Sequence, residues 1–188
     1  MKLVILDRDG TINVDSDEFI KTPDEWQPLP GALEAIARMN HAGWHVAIAS
    51  NQSGLGRGLF DVASLNAIHA KMHKMLSAIG GRVDAVFYCP HAPDEGCQCR
   101  KPLPGLFEQI GERFGVDLRS VPVVGDTPRD LEAGVAVGCQ PHLVLTGKAA
   151  GLRGQPLPDG YPPLTRVHLD LSTFADWLIT RAPAPRPA

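Results

Sequence analysis

The sequence predicts an α/β fold, a mainly parallel sheet with helices on both faces. Short apolar runs alternate with stretches of helical periodicity, and each apolar run closes in a polar loop. A third observation is chemical. Four of the five expected strands end in groups that bind metals or anions: Asp7/Asp9, Ser50/Asn51, Cys89/His91 and Asp126. In parallel α/β sheets ligands bind beyond the carboxyl ends of the strands, so this convergence locates a site.

Residues 2–6 (Lys-Leu-Val-Ile-Leu) read as a buried strand cut off by Asp-Arg-Asp-Gly. After Gly31, the positions Leu33, Ile36, Ala37 and Met39 keep helical spacing as far as Gly43. Residues 45–50 give the second strand, followed by Asn-Gln-Ser-Gly. Asp61 can cap a long helix carrying Leu65, Ile68, Met72 and Leu76, which Gly80-Gly81 stops. Residues 84–89 form a third strand, an irregular loop runs to Pro104, and a helix carries Leu106, Phe107, Ile110 and Phe114. The fourth strand spans 121–124, a short helix 130–137 and the fifth strand 142–145. Gly and Pro then dominate 147–165, expected to be loop, and Ser172 is placed to cap a last helix ending near Arg181. The tail 182–188, Ala-Pro-Ala-Pro-Arg-Pro-Ala, cannot form a helix and is expected to be disordered.

A chain of 188 residues has the length of one domain, assigned here to 1–181. Its 18 Lys+Arg and 21 Asp+Glu leave a charge of −3, which argues against a general nucleic-acid binder. With 44% hydrophobic and 21% charged residues the chain is not of the disordered class. No apolar run reaches the roughly 18 residues of a membrane span. Residues 1–6 are too short for a signal-peptide core, so a cytoplasmic protein is expected, and a monomer is the default.

Asp7 and Asp9 lie two apart at a strand end and can project to the same side. An isolated Asp-x-Asp is usually just solvated. Here Asp126 can add a third carboxylate, and Mg²⁺ suits such an all-oxygen set. Ser50 and the backbone amides after it can hold phosphate oxygens, while Lys101 adds a positive charge. The set suits phosphoryl transfer, in which catalysis is mostly positioning and charge neutralisation.

Asp-Arg-Asp-Gly-Thr (7–11), Ser50-Asn51, Lys101 within Arg-Lys-Pro, and Gly-Asp-Thr-Pro-Arg-Asp (125–130) resemble the four ordered motifs of the haloacid dehalogenase-like phosphatases. The resemblance implies a Rossmann-like domain with Asp7 as nucleophile and Asp9 as general acid and base. It further implies that Ser50 and Lys101 stabilise the transferring phosphoryl group. Asp7, the backbone carbonyl of Asp9, and Asp126 would hold Mg²⁺, with Asp130 in support. No insertion is long enough for a large cap domain, so the loops 12–30 and 89–103 must cover the ligand.

Cys89-x-His91-x₅-Cys97-x-Cys99 offers three sulfurs and one imidazole, enough for a closed tetrahedral Zn²⁺ site. A disulfide is the alternative, but Cys97 and Cys99 can hardly bridge each other without strain, and a bridge from Cys89 leaves one thiol over. With no open ligand position such a zinc is structural, and it would fix the loop that presents Arg100 and Lys101. Cys-Pro-His…Cys-x-Cys-Arg-Lys-Pro resembles the zinc-containing histidinol-phosphatase-like branch of the family. Within that branch, residues 7–15, 51–58 and Thr-Gly-Lys (146–148) are most similar to the sugar-bisphosphate phosphatases. That similarity implies a small phosphorylated sugar as substrate, contacted by Asp15, Ser16, Asp17, Glu18, Asn51, Gln52, Ser53 and Arg100. A histidinol-phosphate phosphatase is the alternative. A DNA 3′-phosphatase fits the −3 charge poorly, and a non-catalytic zinc-stabilised module would have no use for the carboxylate set.

His69 and His73 have the i, i+4 spacing of a metal site, but without a third ligand they read as an exposed polar helix face. Residues 54–58 are either a phosphate cradle or a plain turn. Trp26, Trp44 and Trp177 are too scattered to stack bases and read as packing, as does Cys139.

Overall fold

The computed structural model describes residues 1–181; the expected disordered tail, 182–188, lies outside the described residues. Six parallel strands form one sheet in the order β3-β2-β1-β4-β5-β6. They are β1 (Leu3–Leu6), β2 (His45–Asn51), β3 (Ala85–Cys89), β4 (Pro122–Gly125), β5 (Gln140–Val144) and β6 (Arg166–His168). Every residue of β1 is buried because the strand is central and alternates between two cores. Val4 and Leu6 join Val46, Ile48, Val124 and Val144 on one face. There they meet α1 (Ala32–His41), α3 (Val62–Ala78) and α6 (Leu171–Thr180). Leu3 and Ile5 join Ala47, Ala49, Val123 and Leu143 on the other face, against α4 (Gly105–Phe114) and α5 (Pro128–Val135). Each buried Val, Leu or Ile among these contributes about 1.5–3 kcal/mol.

The helix starts follow local chemistry. Asp61 accepts the Ser64 amide at 2.8 Å and so caps α3. Thr127 and Asp130 form a capping box at α5, with Pro128 in the first turn where its missing N–H costs nothing. That box starts the helix two residues before the expected 130–137. The cap of α6 is Asp170, which accepts Thr173 N at 2.8 Å, and not Ser172. Ser172 instead accepts Arg38 from α1 on both its carbonyl and its hydroxyl. The segment expected to be loop from 147 holds a 3-10 turn, Gly147–Leu152, and just beyond it lies β6, a sixth strand. The three residues of β6 are too few to show alternation and form a strand only by pairing with β5. The short α2 (Ser53–Gly56) is likewise unexpected.

The chain builds β1, β2 and β3 outward and then returns to place β4 on the other side of β1. The order therefore reverses between β1 and β4, which is where open α/β sheets bind their ligands. Asp7 follows β1 and Asp126 follows β4. Among the described residues no large cap covers this end: β1 and α1 are separated by a loop with one 3-10 turn, Pro23–Glu25.

Candidate active site

At the switch point the side chains of Asp7, Asp126 and Asp130 are buried, with carboxylate oxygens within 4.8 Å of one another. Lys101 is buried among them: its Nζ donates to Asp7 Oδ1 at 2.8 Å and to Ala49 O at 2.7 Å, and pairs with Asp130 Oδ1 at 2.7 Å. Asn51, at the end of β2, grips the Lys101 backbone in both directions, accepting its N–H at 3.0 Å and donating to its carbonyl at 3.1 Å. Burial opposes the charge on Lys101, but Asp130 and Asp7 outweigh it and hold the ammonium protonated.

Three carboxylates facing one ammonium leave two negative charges unmatched. Burial, and then the repulsion of Asp130, raises Asp7 to about 7. Burial and then Asp7 raise Asp126 to about 9. A divalent cation would remove both charges, and the residues fit one. Asp130 is spoken for, because its second oxygen accepts Thr127 N at 3.1 Å and Thr127 Oγ1 at 2.9 Å. Asp126 accepts Lys148 N on Oδ2 at 2.9 Å, but its buried Oδ1 has no partner. Such hard oxygen donors suit Mg²⁺. Gly10 and Gly147, both with positive φ, let two loops close on Asp126: a Cβ would stand 2.1 and 2.2 Å from its Oδ2.

Asp9, two residues from Asp7, lives in the opposite environment. Burial would raise it, but the Arg8 guanidinium, the Asn13 amide at 2.9 Å and the Gln52 amide at 3.0 Å outweigh this and hold it low. Gln52 also donates to Ser50 Oγ at 2.8 Å, so one amide links the two side chains. Ser50 is buried at the end of β2.

Asp7, Asp9, Gln52, Lys101, Asp126 and Asp130 floor a cleft of about 270 Å³ lined also by Asp15, Ser16, Asp17, Asn51, Ser53 and Arg100. Ser50, expected to hold phosphate, is reached only through Gln52 and does not line it. Glu18, expected among the substrate contacts, does not line it and is exposed, its N–H turned to Ser16 Oγ. Four lining residues were not singled out from the sequence: Phe19, Ile20, Arg57 and Arg129. Lys148, noted only within Thr-Gly-Lys, pairs with Asp15 at 3.3 Å and Asp17 at 3.4 Å and so ties the loop after β5 to the loop after β1. From the other side Arg57 lies over the Phe19 ring at 5.7 Å, and Phe19 itself has φ 66°. Arg57, Arg100, Arg129 and Lys148 give the mouth a positive rim around an acidic floor.

Beside the cleft, Cys89, His91, Cys97 and Cys99 bring their ligand atoms within 4.8 Å of one another. Cys89 and Cys97 sulfurs are 3.7 Å apart, and His91 Nδ1 lies 3.4 Å from Cys89 Sγ and 3.3 Å from Cys99 Sγ. The sulfur spacing is far beyond a disulfide and close to the roughly 3.8 Å between thiolates on one tetrahedral Zn²⁺. Desolvation raises Cys97, but the backbone N–H groups of Arg100 and Cys99 outweigh it and lower the thiol to about 7. The donor set therefore fits zinc. The expected polar helix face is half correct: His73 is exposed, but His69 is buried against Arg8. Trp26 and Trp44 are buried and Trp177 packs on the same core, and Cys139 is buried in the other.

A parallel sheet with this carboxylate and lysine cluster at its switch point is the arrangement of a haloacid dehalogenase-like hydrolase. Residues 98–162 match the HAD-hydrolase-like family. The chain is 57% identical to a D-glycero-beta-D-manno-heptose-1,7-bisphosphate 7-phosphatase of Bordetella bronchiseptica, over 97% of this chain and all of that one. A protein of the same name from Pseudomonas aeruginosa is 54% identical, over 94% of this chain and 97% of its own. The solved D,D-heptose 1,7-bisphosphate phosphatase from B. bronchiseptica, complexed with magnesium and phosphate, superposes with a TM-score of 0.92. It is 56% identical, over 97% of this chain and 100% of that one. The chain belongs to the D-glycero-beta-D-manno-heptose-1,7-bisphosphate 7-phosphatase family of HAD-like hydrolases.

Proposed function

We propose that this protein is a Mg²⁺-dependent phosphatase that hydrolyses the 7-phosphate of D-glycero-β-D-manno-heptose 1,7-bisphosphate through an aspartyl-phosphate. The carrying observation is the orphaned Asp126 oxygen beside Asp7 and Lys101, in a chain 57% identical to a relative named for this reaction. The β anomer is chosen because the relatives are named for it. The family resemblance puts this step in the supply of ADP-heptose for the lipopolysaccharide core.

In this reading Asp9, ionised in the free enzyme, takes up a proton from solvent as the phosphate ester binds. Asp7 attacks phosphorus, the bond to the sugar O7 breaks, and Asp9 passes its proton to that oxygen. Asp9 then takes a proton from the water that hydrolyses the acyl-phosphate, and either keeps it for the next turnover or returns it to solvent as phosphate departs. Lys101 orients Asp7 and balances charge on the phosphoryl oxygens. Ser50 Oγ accepts from Gln52, which leaves its own proton free to donate to the phosphoryl group. Mg²⁺, held by Asp7, the Asp9 backbone carbonyl and Asp126, would neutralise the remaining negative charge when bound. Asp15, Ser16, Asp17, Asn51, Gln52, Ser53 and Arg100 are assigned to the sugar and its second phosphate. Cys89, His91, Cys97 and Cys99 are assigned a structural Zn²⁺. No helix among the described residues is long and apolar enough to cross a membrane, and we place the enzyme in the cytoplasm as a monomer.

Phosphate release with Mg²⁺ tests the reading. The expected result is a kcat/KM at least a hundredfold higher for the β-heptose bisphosphate than for histidinol phosphate. The reverse preference would overturn the substrate and leave the Asp7 chemistry standing.

A further inference from the structure

Directly behind Asp9 lies a buried pair to which the steps above give no role. Arg8 is completely buried, and its guanidinium is divided between two partners. Nε donates to Asp9 Oδ1 at 2.9 Å, with Nη2 2.8 Å from the same oxygen, while Nη1 meets Nε2 of His69 on α3 at 3.1 Å. A guanidinium only donates, so His69 Nε2 accepts and the ring proton sits on Nδ1. Burial, and then Arg8, pushes the imidazole down to about 4, so this acceptor is neutral at physiological pH. The neutrality has a consequence. A carboxylate at position 69 would share the guanidinium, whereas an imidazole fixes its direction and leaves the charge to Asp9. Asp9 is also steadied by Asn13 and Gln52, but only the Arg8 contact ties it to a helix of the core.

We infer that Arg8 and His69 are a positioning pair for Asp9: His69 anchors the guanidinium to α3, and Arg8 holds the carboxyl in the orientation from which it serves the leaving group. The inference rests on the proton-donor role assigned to Asp9 above. Neither residue lines the cleft, so both act through Asp9 rather than on the substrate.

The test compares two esters. The heptose bisphosphate leaves as an alkoxide that needs a proton, while 4-nitrophenyl phosphate leaves without one. kcat/KM reports events through leaving-group departure, so a displaced general acid harms the first ester selectively. General-acid assistance is worth about 10²–10⁴-fold. His69→Leu is expected to lower kcat/KM on the sugar ester by about tenfold or more and on the nitrophenyl ester by less than about threefold. His69→Gln, which keeps an acceptor oxygen, is expected to stay within about threefold of the unaltered enzyme on both. His69→Glu supplies a counter-charge for the buried Arg8 and so protects the fold. It draws the guanidinium away from Asp9 and is expected to show the same selective loss even if His69→Leu unfolds. Equal losses on both esters, or none in His69→Glu, would overturn the inference. Asp9→Asn separates the two levels: a selective loss there without one in His69→Glu sinks only the positioning pair, and no selective loss in Asp9→Asn sinks the proton-donor reading with it.

Discussion

The carboxylate pocket and the cysteine-histidine loop are both suited to a cation, and they are assembled in opposite ways. Asp7 and Asp126 come from separate strands and meet only because the sheet order reverses between β1 and β4. The four thiol and imidazole groups come from one stretch, 89–99, and meet because that stretch turns on itself. The pocket is rigid before any ion arrives: the sheet, Lys101 and the Thr127 cap hold repelling charges together. The loop has no helix or strand of its own between β3 and α4, so its ligands are also its scaffold. One cluster spends fold stability to create a charge deficit. The other, holding the proposed zinc, would supply stability where the chain has little. They are joined along the chain, because Arg100 and Lys101 follow Cys99 directly, and across the sheet, because Gln52 N–H donates to the Cys89 carbonyl at 2.8 Å.

The largest expected effect is at the nucleophile. Asp7→Asn keeps the shape and removes the covalent route, so kcat should fall by more than about 10³-fold with an unchanged circular dichroism spectrum. Turnover within tenfold of the unaltered enzyme would take the chemistry away from this pocket. The loop should respond in the other currency. Metal analysis is expected to find one zinc per chain, and Cys99→Ala to lose it, with stability falling on the order of 3–5 kcal/mol. Activity should fall with it through Lys101, since Asn51 can hold that backbone only where the loop delivers it. A zinc-free Cys99→Ala with unaltered melting and turnover would remove the scaffold role.

The same contrast governs what could be read in advance. The loop is local, and spacing alone brought its four ligands forward. The pocket is not local: two short apolar runs and the polar residues after them pointed to strand ends, and the ordered family motifs tied Asp7, Lys101 and Asp126 together. Arg57 and Arg129 were not singled out, because an exposed arginine after α2 and one in the first turn of α5 converge only once those elements are placed. His69 misled. Its i, i+4 pairing with His73, lacking a third ligand, read as a solvated face; His73 is indeed exposed, but His69 turns inward against the buried Arg8. In the fold, β6 stayed hidden because Arg-Val-His has no pattern of its own, and Ser172 was mistaken for a cap that Asp170 provides two residues earlier.

The smallest expected effect is also the sharpest test of the difference between the two clusters. Asp7 and Asp126 are raised to about 7 and about 9 from an ordinary 3.8, so the folded protein keeps protons that the unfolded chain releases. Stability gained from this is present below pH 4 and is lost as pH rises through 7 and 9. The buried His69, His142 and His168 are lowered to about 4, 3 and 4, which costs stability only as pH falls below about 6.5. With the Cys97 thiol, lowered to about 7, held on zinc, the window from pH 7 to 9 isolates the carboxylates. With zinc retained and magnesium withheld, stability is expected to fall across it by an amount on the order of 1–3 kcal/mol. Magnesium should restore it, more at pH 9 than at pH 7, because the ion binds the deprotonated pair. Asp126→Asn should flatten the slope, raise the melting temperature of the magnesium-free protein at pH 9, and abolish the response to magnesium. A magnesium-free melting temperature that is level from pH 7 to 9 would mean that Lys101 alone balances the pocket, and the charge deficit that separates it from the cysteine loop would be gone.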